Sequence, residues 1–274
     1  MKKCWLIILL LCSLITAAEF TVKSPDNTIT MKVNIEDYIH YSVKLDGKSI
    51  LQSSRIDISI DGQNIGEAPQ IINSEKKSIT NRIKPVVQQK TKIIDDHYNK
   101  LTIDFTDNWS LIFRAYNDGV AYRIDSNFSD SVKVNKETIE YNFAKDHKIY
   151  FPKEESMYTH QEREYRYIKL STIGEKFSSI PALIDMDDGT KVLISESDLY
   201  DYPGLYLTGQ KGTNPKLKAI FPHYPLETEQ TSDRDIPVKE YASYLAKTRG
   251  NRKYPWRLMI IAREDKNLIE SQLV

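Results

Sequence analysis

Asp-Gly occurs four times in this chain, each time between apolar or alternating runs, and no other feature narrows the possible folds so far. Asp46-Gly47 separates residues 41–45 from 49–51, and Asp61-Gly62 follows 56–60. Asp118-Gly119 divides 111–116 from 120–124, and Asp188-Gly189 divides 182–186 from 191–194. Asp-Gly accommodates the positive φ angles of a type I′ turn, whose twist matches that of paired strands. Four such signals predict antiparallel β-structure. Further strands are expected at 28–33, 101–105, 138–143, 217–220 and 256–262, and 17 tyrosines agree with that content. No long segment carries a 3.6-residue period. Residues 236–247 fit a turn or two of helix or equally a strand, and 211–235 reads as a long loop. The expected fold class is all-β, a large antiparallel two-sheet sandwich.

The N-terminus reads as a separate piece. Lys2 and Lys3 precede an apolar run, Trp5 to Ile15, and Thr16, Ala17 and Ala18 follow it. That order is a secretory signal peptide, residues 1–18, with cleavage expected after Ala18. The run is shorter than the roughly 20 apolar residues that a bilayer requires. Both cysteines, Cys4 and Cys12, lie within it, so residues 19–274 have no disulfide framework and rely on core burial. With 38 basic and 38 acidic residues, the chain lacks the basic excess of a nucleic-acid binder. No second stretch is apolar enough to span a membrane after signal cleavage.

Several clusters invite a chemical reading. His97 follows Asp95 and Asp96, and His160 lies near Glu162 and Glu164. Neither has a recognised metal-ligand spacing, and both read as surface or loop residues. Asp185, Asp187, Asp188 and Gly189, with Glu196 beyond, resemble a calcium loop superficially. The glycine is misplaced for a helix–loop–helix site and strands flank it, so a hairpin tip is expected. The basic, aromatic stretch 247–257 reads as a solvated loop entering a strand rather than a polyanion-binding face. Asn108-Trp109-Ser110 and Asn127-Phe128-Ser129 match the glycosylation pattern, which is common by chance. The sequence has no Gly-x-Ser-x-Gly, no phosphate-cradling glycine loop and no cysteine nucleophile outside the leader.

Longer segments carry a family resemblance. Phe113-Arg114-Ala115-Tyr116-Asn117-Asp118-Gly119-Val120-Ala121-Tyr122-Arg123 is the most distinctive. Ser24-Pro25-Asp26 and His97-Tyr98-Asn99-Lys100-Leu101 stand before it. Ile180-Pro181-Ala182, Asp187-Asp188-Gly189, Ile194-Ser195-Glu196-Ser197, Asp201-Tyr202-Pro203-Gly204, Pro255-Trp256-Arg257 and Leu268-Ile269-Glu270-Ser271 stand after it. In this order they resemble the N-terminal domain of glycoside hydrolase family 97. The resemblance implies a galactose mutarotase-like β-super-sandwich over residues 19–274. It also implies a (β/α)8 barrel as the domain's own C-terminal partner, which carries the catalytic carboxylates. The family's members are exported bacterial enzymes acting on α-glucosides or α-galactosides, so an α-linked oligosaccharide substrate and a periplasmic location are implied, with cell-surface or secreted forms as alternatives. This chain is expected to be that N-terminal domain, without catalytic residues of its own. Glu196 occupies the place of the family's calcium ligand, which implies Ca2+ as cofactor, with the remaining ligands from the barrel. Ser195 and Ser197 depart from the family's usual His and Ala there. Two rival readings are a free-standing carbohydrate-binding sandwich and a purely structural exported domain.

Overall fold

The computed structural model describes residues 17–210 and 215–273. The expected signal peptide, apart from Ala17 and Ala18, lies outside the described residues, as do Cys4 and Cys12. The described chain is almost wholly β: eighteen strands join one hydrogen-bonded network, and a further pair, Pro225–Thr228 and Val238–Tyr241, stands apart. Every pairing is antiparallel.

Alternation sets the faces. Ile29–Ile35 buries every second residue, as do Ile39–Leu45 and Trp109–Tyr116. A period of two directs one set of side chains inward, and a one-residue slip would expose all of them. The inward sets meet in one core cluster that includes Met31, Tyr41, Phe113, Tyr141, Phe151 and Ile194. A second, small cluster of Ala121, Trp256, Leu258 and Ile260 lies on the other face of the same strands, packed against Ile112, Leu193, Leu268 and Leu273.

One strand ties the molecule together. Gly119–Asn142 runs for 24 residues and changes partners along its length. Its first part pairs with Trp109–Tyr116 and Trp256–Ala262, its middle with Ala246–Lys253, and its end with Lys48–Ile60 and Lys216–Ile220. The two layers of the sandwich are therefore one continuous ladder.

The turns refine the Asp-Gly reading. Asp46-Gly47 and Asp61-Gly62 have positive φ at both positions and form the expected I′ hairpins. At Asp188-Gly189 only the glycine is left-handed, and Gly189 N–H donates to Met186 C=O at 3.0 Å, which is a type I turn closed by a glycine bulge. At the third site Asn117 and Asp118 make the turn, and Gly119 is already the first strand residue, opposite Tyr116. There the glycine answers crowding: an added Cβ would lie 2.3 Å from Met259 C=O. The reading of 236–247 resolves to strand, as Val238–Tyr241 and the start of Ala246–Lys253. The strand expected at 217–220 is present as Lys216–Ile220, and the rest of the loop expected over 211–235 contains one further strand, Pro225–Thr228. The stretch 247–257 is not a solvated loop but parts of two strands and the two residues that join them, with Arg252, Tyr254 and Arg257 buried.

Candidate functional site

Glu196 lies near the end of strand Lys191–Ser197, opposite Arg257 of strand Trp256–Ala262. Its side chain is only 8% exposed. Both carboxylate oxygens are engaged: Oε1 accepts the Leu205 N–H at 2.9 Å, and Oε2 accepts a close hydrogen bond from Arg257 Nη1. Arg257 is held from the other side by Glu137 of the long strand, with Nε donating to Oε1 at 3.0 Å and Nη2 to Oε2 at 2.7 Å. Tyr202 completes the set by donating its hydroxyl to Glu137 Oε2 at 3.0 Å. One guanidinium is thus gripped by two carboxylates, with Arg257 and Glu137 1% and 5% exposed.

The electrostatics follow from burial. Burial disfavours the charged form of Arg257, but the carboxylates of Glu137 and Glu196 outweigh it and hold the guanidinium protonated. Burial pushes the Glu196 carboxyl above its ordinary range, with Arg257 and the Leu205 N–H opposing. Two carboxylates and one guanidinium leave the cluster one negative charge in excess. Excess negative charge with little water favours a cation nearby.

The donor chemistry of Glu196 suits a hard cation. Each oxygen carries one hydrogen bond, and a carboxylate offers about four acceptor positions, so lone pairs remain. The shell itself is incomplete: no group of three or more His, Cys, Asp or Glu among the described residues is placed to hold a metal. Calcium takes six to eight oxygens, so most of them would have to come from elsewhere.

The other sequence candidates fall apart in space. Asp185, Asp187 and Asp188 are engaged separately, with Lys191 at 3.0 Å, with His147 at 3.6 Å, and with Lys48. They form a hairpin tip, as expected. His160 is exposed beside Arg163 and Glu162. Asp95, Asp96 and His97 line a cleft of about 390 Å³ that also reaches Arg114 and Trp256. Arg114 and Arg123, the two arginines of the long motif, stack on Trp256 with Cζ 4.2 and 4.3 Å from the ring centroid. Arg123 also donates to Asp198 at 2.9 Å.

The sequence singles out Glu196 but not the partners that surround it, Glu137, Arg257 and Tyr202. A signal for two of them exists in the pattern. Glu137 is in phase with the inward residues Ile139 and Tyr141, and Arg257 with Met259 and Ile261. A charged residue in phase with a core stripe needs a buried partner.

Comparison with known proteins converges on one family. The model described as "Glycosyl-hydrolase 97 N-terminal" matches residues 22–274. A retaining alpha-galactosidase from Bacteroides thetaiotaomicron is 33% identical over 287 residues, covering 99% of this chain and 43% of that protein. The chain therefore spans less than half the length of this relative. Among solved structures, a family 97 enzyme in complex with acarbose, from Pseudoalteromonas sp. strain K8, superposes with a TM-score of 0.76 at 19% identity. That match covers 93% of this chain and 37% of the other. A beta-arabinopyranosidase superposes with a TM-score of 0.77 at 18% identity, covering 93% and 42%.

Proposed function

The chain belongs to glycoside hydrolase family 97, as its N-terminal domain, and we propose that it serves an exported, calcium-dependent α-glycosidase by packing on the catalytic barrel and lending Glu196 to the calcium ion. The observation that carries this reading is the state of Glu196: a carboxylate fixed by a backbone N–H and a buried arginine, with lone pairs left and a net negative charge behind it. Its neighbours orient it. Tyr202 holds Glu137, Glu137 fixes Arg257, Arg257 fixes one oxygen, and Leu205 fixes the other. A carboxylate held in this way meets a cation without first losing rotamer freedom. When bound, calcium supplies positive charge beside the departing sugar oxygen. The substrate class is α-galactosides or α-glucosides, and the 33%-identical relative favours the former. Such an enzyme works in the periplasm, after loss of residues 1–18.

The test is Glu196→Gln in the full-length enzyme. One anionic oxygen is lost and size is kept, so calcium affinity falls by more than the 10–100-fold typical of an outer-shell change. Turnover falls with it and recovers partly at high calcium. Calorimetric titration that gives equal affinity in both proteins overturns the assignment.

A further inference from the structure

A second recess, built wholly within this chain, shares only Tyr202 with the Glu196 cluster. It encloses about 300 Å³, the lower end of the range for small-ligand pockets. Tyr202, Pro203, Pro222 and Leu245 contribute apolar surface, Tyr158 and Tyr224 contribute aromatic walls, and Asp201, His223 and Lys247 contribute the polar groups.

The walls are fixed in place. The Tyr158 hydroxyl accepts the His223 N–H at 2.9 Å and lies 3.3 Å from the His223 carbonyl, so its ring cannot swing away. Its ring also packs on Tyr241 at 4.8 Å. Tyr224 stacks on Tyr244 at 5.5 Å and 29°. Both wall rings are nonetheless more than 40% exposed. Asp201 is held with positive φ, a conformation that a non-glycine residue adopts at a cost. The buried Arg252 keeps it there by donating to the carbonyls of Asp201 and Tyr200 at 3.0 and 2.8 Å. Conformational freedom that a ligand would otherwise have to remove has been removed by the fold.

The chemistry selects the occupant. His223 Nδ1 lies 2.8 Å from the Ala242 carbonyl, which leaves Nε2 as the nitrogen for a ligand. The Asp201 carboxylate has one long bond, 3.4 Å, from Thr248. Lys247 adds a donor, and its charge offsets that of Asp201. A rim of mixed sign gives no advantage to an anion or a cation, and an alkyl chain would leave its polar groups unmet. A neutral ring with one C–H face and a girdle of hydroxyls satisfies walls and rim together.

We propose that this recess binds a pyranose ring of a neutral α-linked oligosaccharide, stacked on Tyr158 and Tyr224 with its hydroxyls on Asp201, His223 and Lys247. The choice of a sugar rests on the glycosidase reading above. The loop from Asp198 to Leu205 connects the two places: Asp201 to Pro203 line the recess, and the Leu205 N–H holds Glu196.

Saturation-transfer NMR on this chain tests it, with raffinose and maltotriose as probes and sorbitol as a polyol without a ring. Transfer to ring C–H protons of at least one sugar, and not to sorbitol, is expected. Tyr224→Ala weakens binding about 10-fold through loss of one stacked ring, and Tyr224→Trp restores it. Asp201→Asn, which tolerates the same backbone conformation, weakens it less. Tyr167→Ala, an exposed tyrosine elsewhere, leaves it unchanged. Absence of transfer to both sugars, equal transfer to sorbitol, or binding untouched by Tyr224→Ala overturns the proposal. The expected pattern persists in excess chelator, so failure of the calcium reading and failure of this one are separately visible.

Discussion

Two adjacent residues of one strand head two opposite clusters. Trp256 points to the outer face and lies between two cations, Arg114 and Arg123. Arg257 points inward and lies between two anions, Glu137 and Glu196. The motif Pro255-Trp256-Arg257 thus supplies one residue to each side of the sheet. The outer cluster uses the π-face of an indole, an attraction that tolerates small displacements. The inner cluster uses a guanidinium fork, which requires matched geometry and leaves a severe penalty if one partner is lost. Two clusters on one strand therefore differ in what they resist: the outer one resists sliding weakly, and the inner one fixes angle and distance.

The largest expected effect breaks the inner cluster. Arg257→Met leaves Glu137 and Glu196 buried without a counter-charge, so the chain loses about 3–5 kcal/mol, read from urea unfolding. A loss below about 1 kcal/mol would mean that the two carboxylates escape to solvent or take up protons readily.

The outer cluster should give way more gently. Arg123→Met removes one cation from Trp256 and the bond to Asp198 but keeps the apolar stem. About 1–2 kcal/mol is expected from the same measurement. A loss equal to that of Arg257→Met would erase the distinction between the two faces.

The smallest effect is one of pH. Burial raises the Glu196 carboxyl above its unfolded value, so the folded state binds its proton more readily than the unfolded state does. The stability that this group contributes is therefore present at low pH and is lost as pH rises through its folded pKa. Glu196→Gln has no such loss. In chelator, the variant should gain on the parent between the ordinary carboxylate pKa and neutrality, in paired urea titrations. A gain in the opposite direction would show that Arg257 outweighs desolvation.

What the sequence made legible follows from the range of each interaction. The strands flanking the Asp-Gly pairs and two of the four hairpin turns depend on neighbours one to four residues away, and these agree with the sequence reading. The turn at Asn117 and Asp118 was misassigned by one position because Gly119 is required by Met259, far along the chain. The same distance hid the site. Arg257 is 61 positions from Glu196 and 120 from Glu137, and no local pattern pairs them. Glu196 stands out through the resemblance of its segment, not through spacing. Residues 247–257 resemble a solvated basic loop because they carry five basic side chains in eleven positions, whereas burial of Arg252 and Arg257 depends on partners elsewhere.

The shared strand Gly119–Asn142 has a consequence for how the domain is assembled. Its partners arrive from both directions along the chain, and Trp256–Ala262 is the last of them in chain order. During synthesis the strand's early half therefore has an open edge, and Glu137 lacks its counter-ion until Arg257 emerges. Closure of long-range β-pairings is slow because the chain must first bear the entropy of bringing distant segments together. A truncation that removes Trp256–Ala262 leaves the early half of the shared strand and strand Lys191–Ser197 each with an open edge.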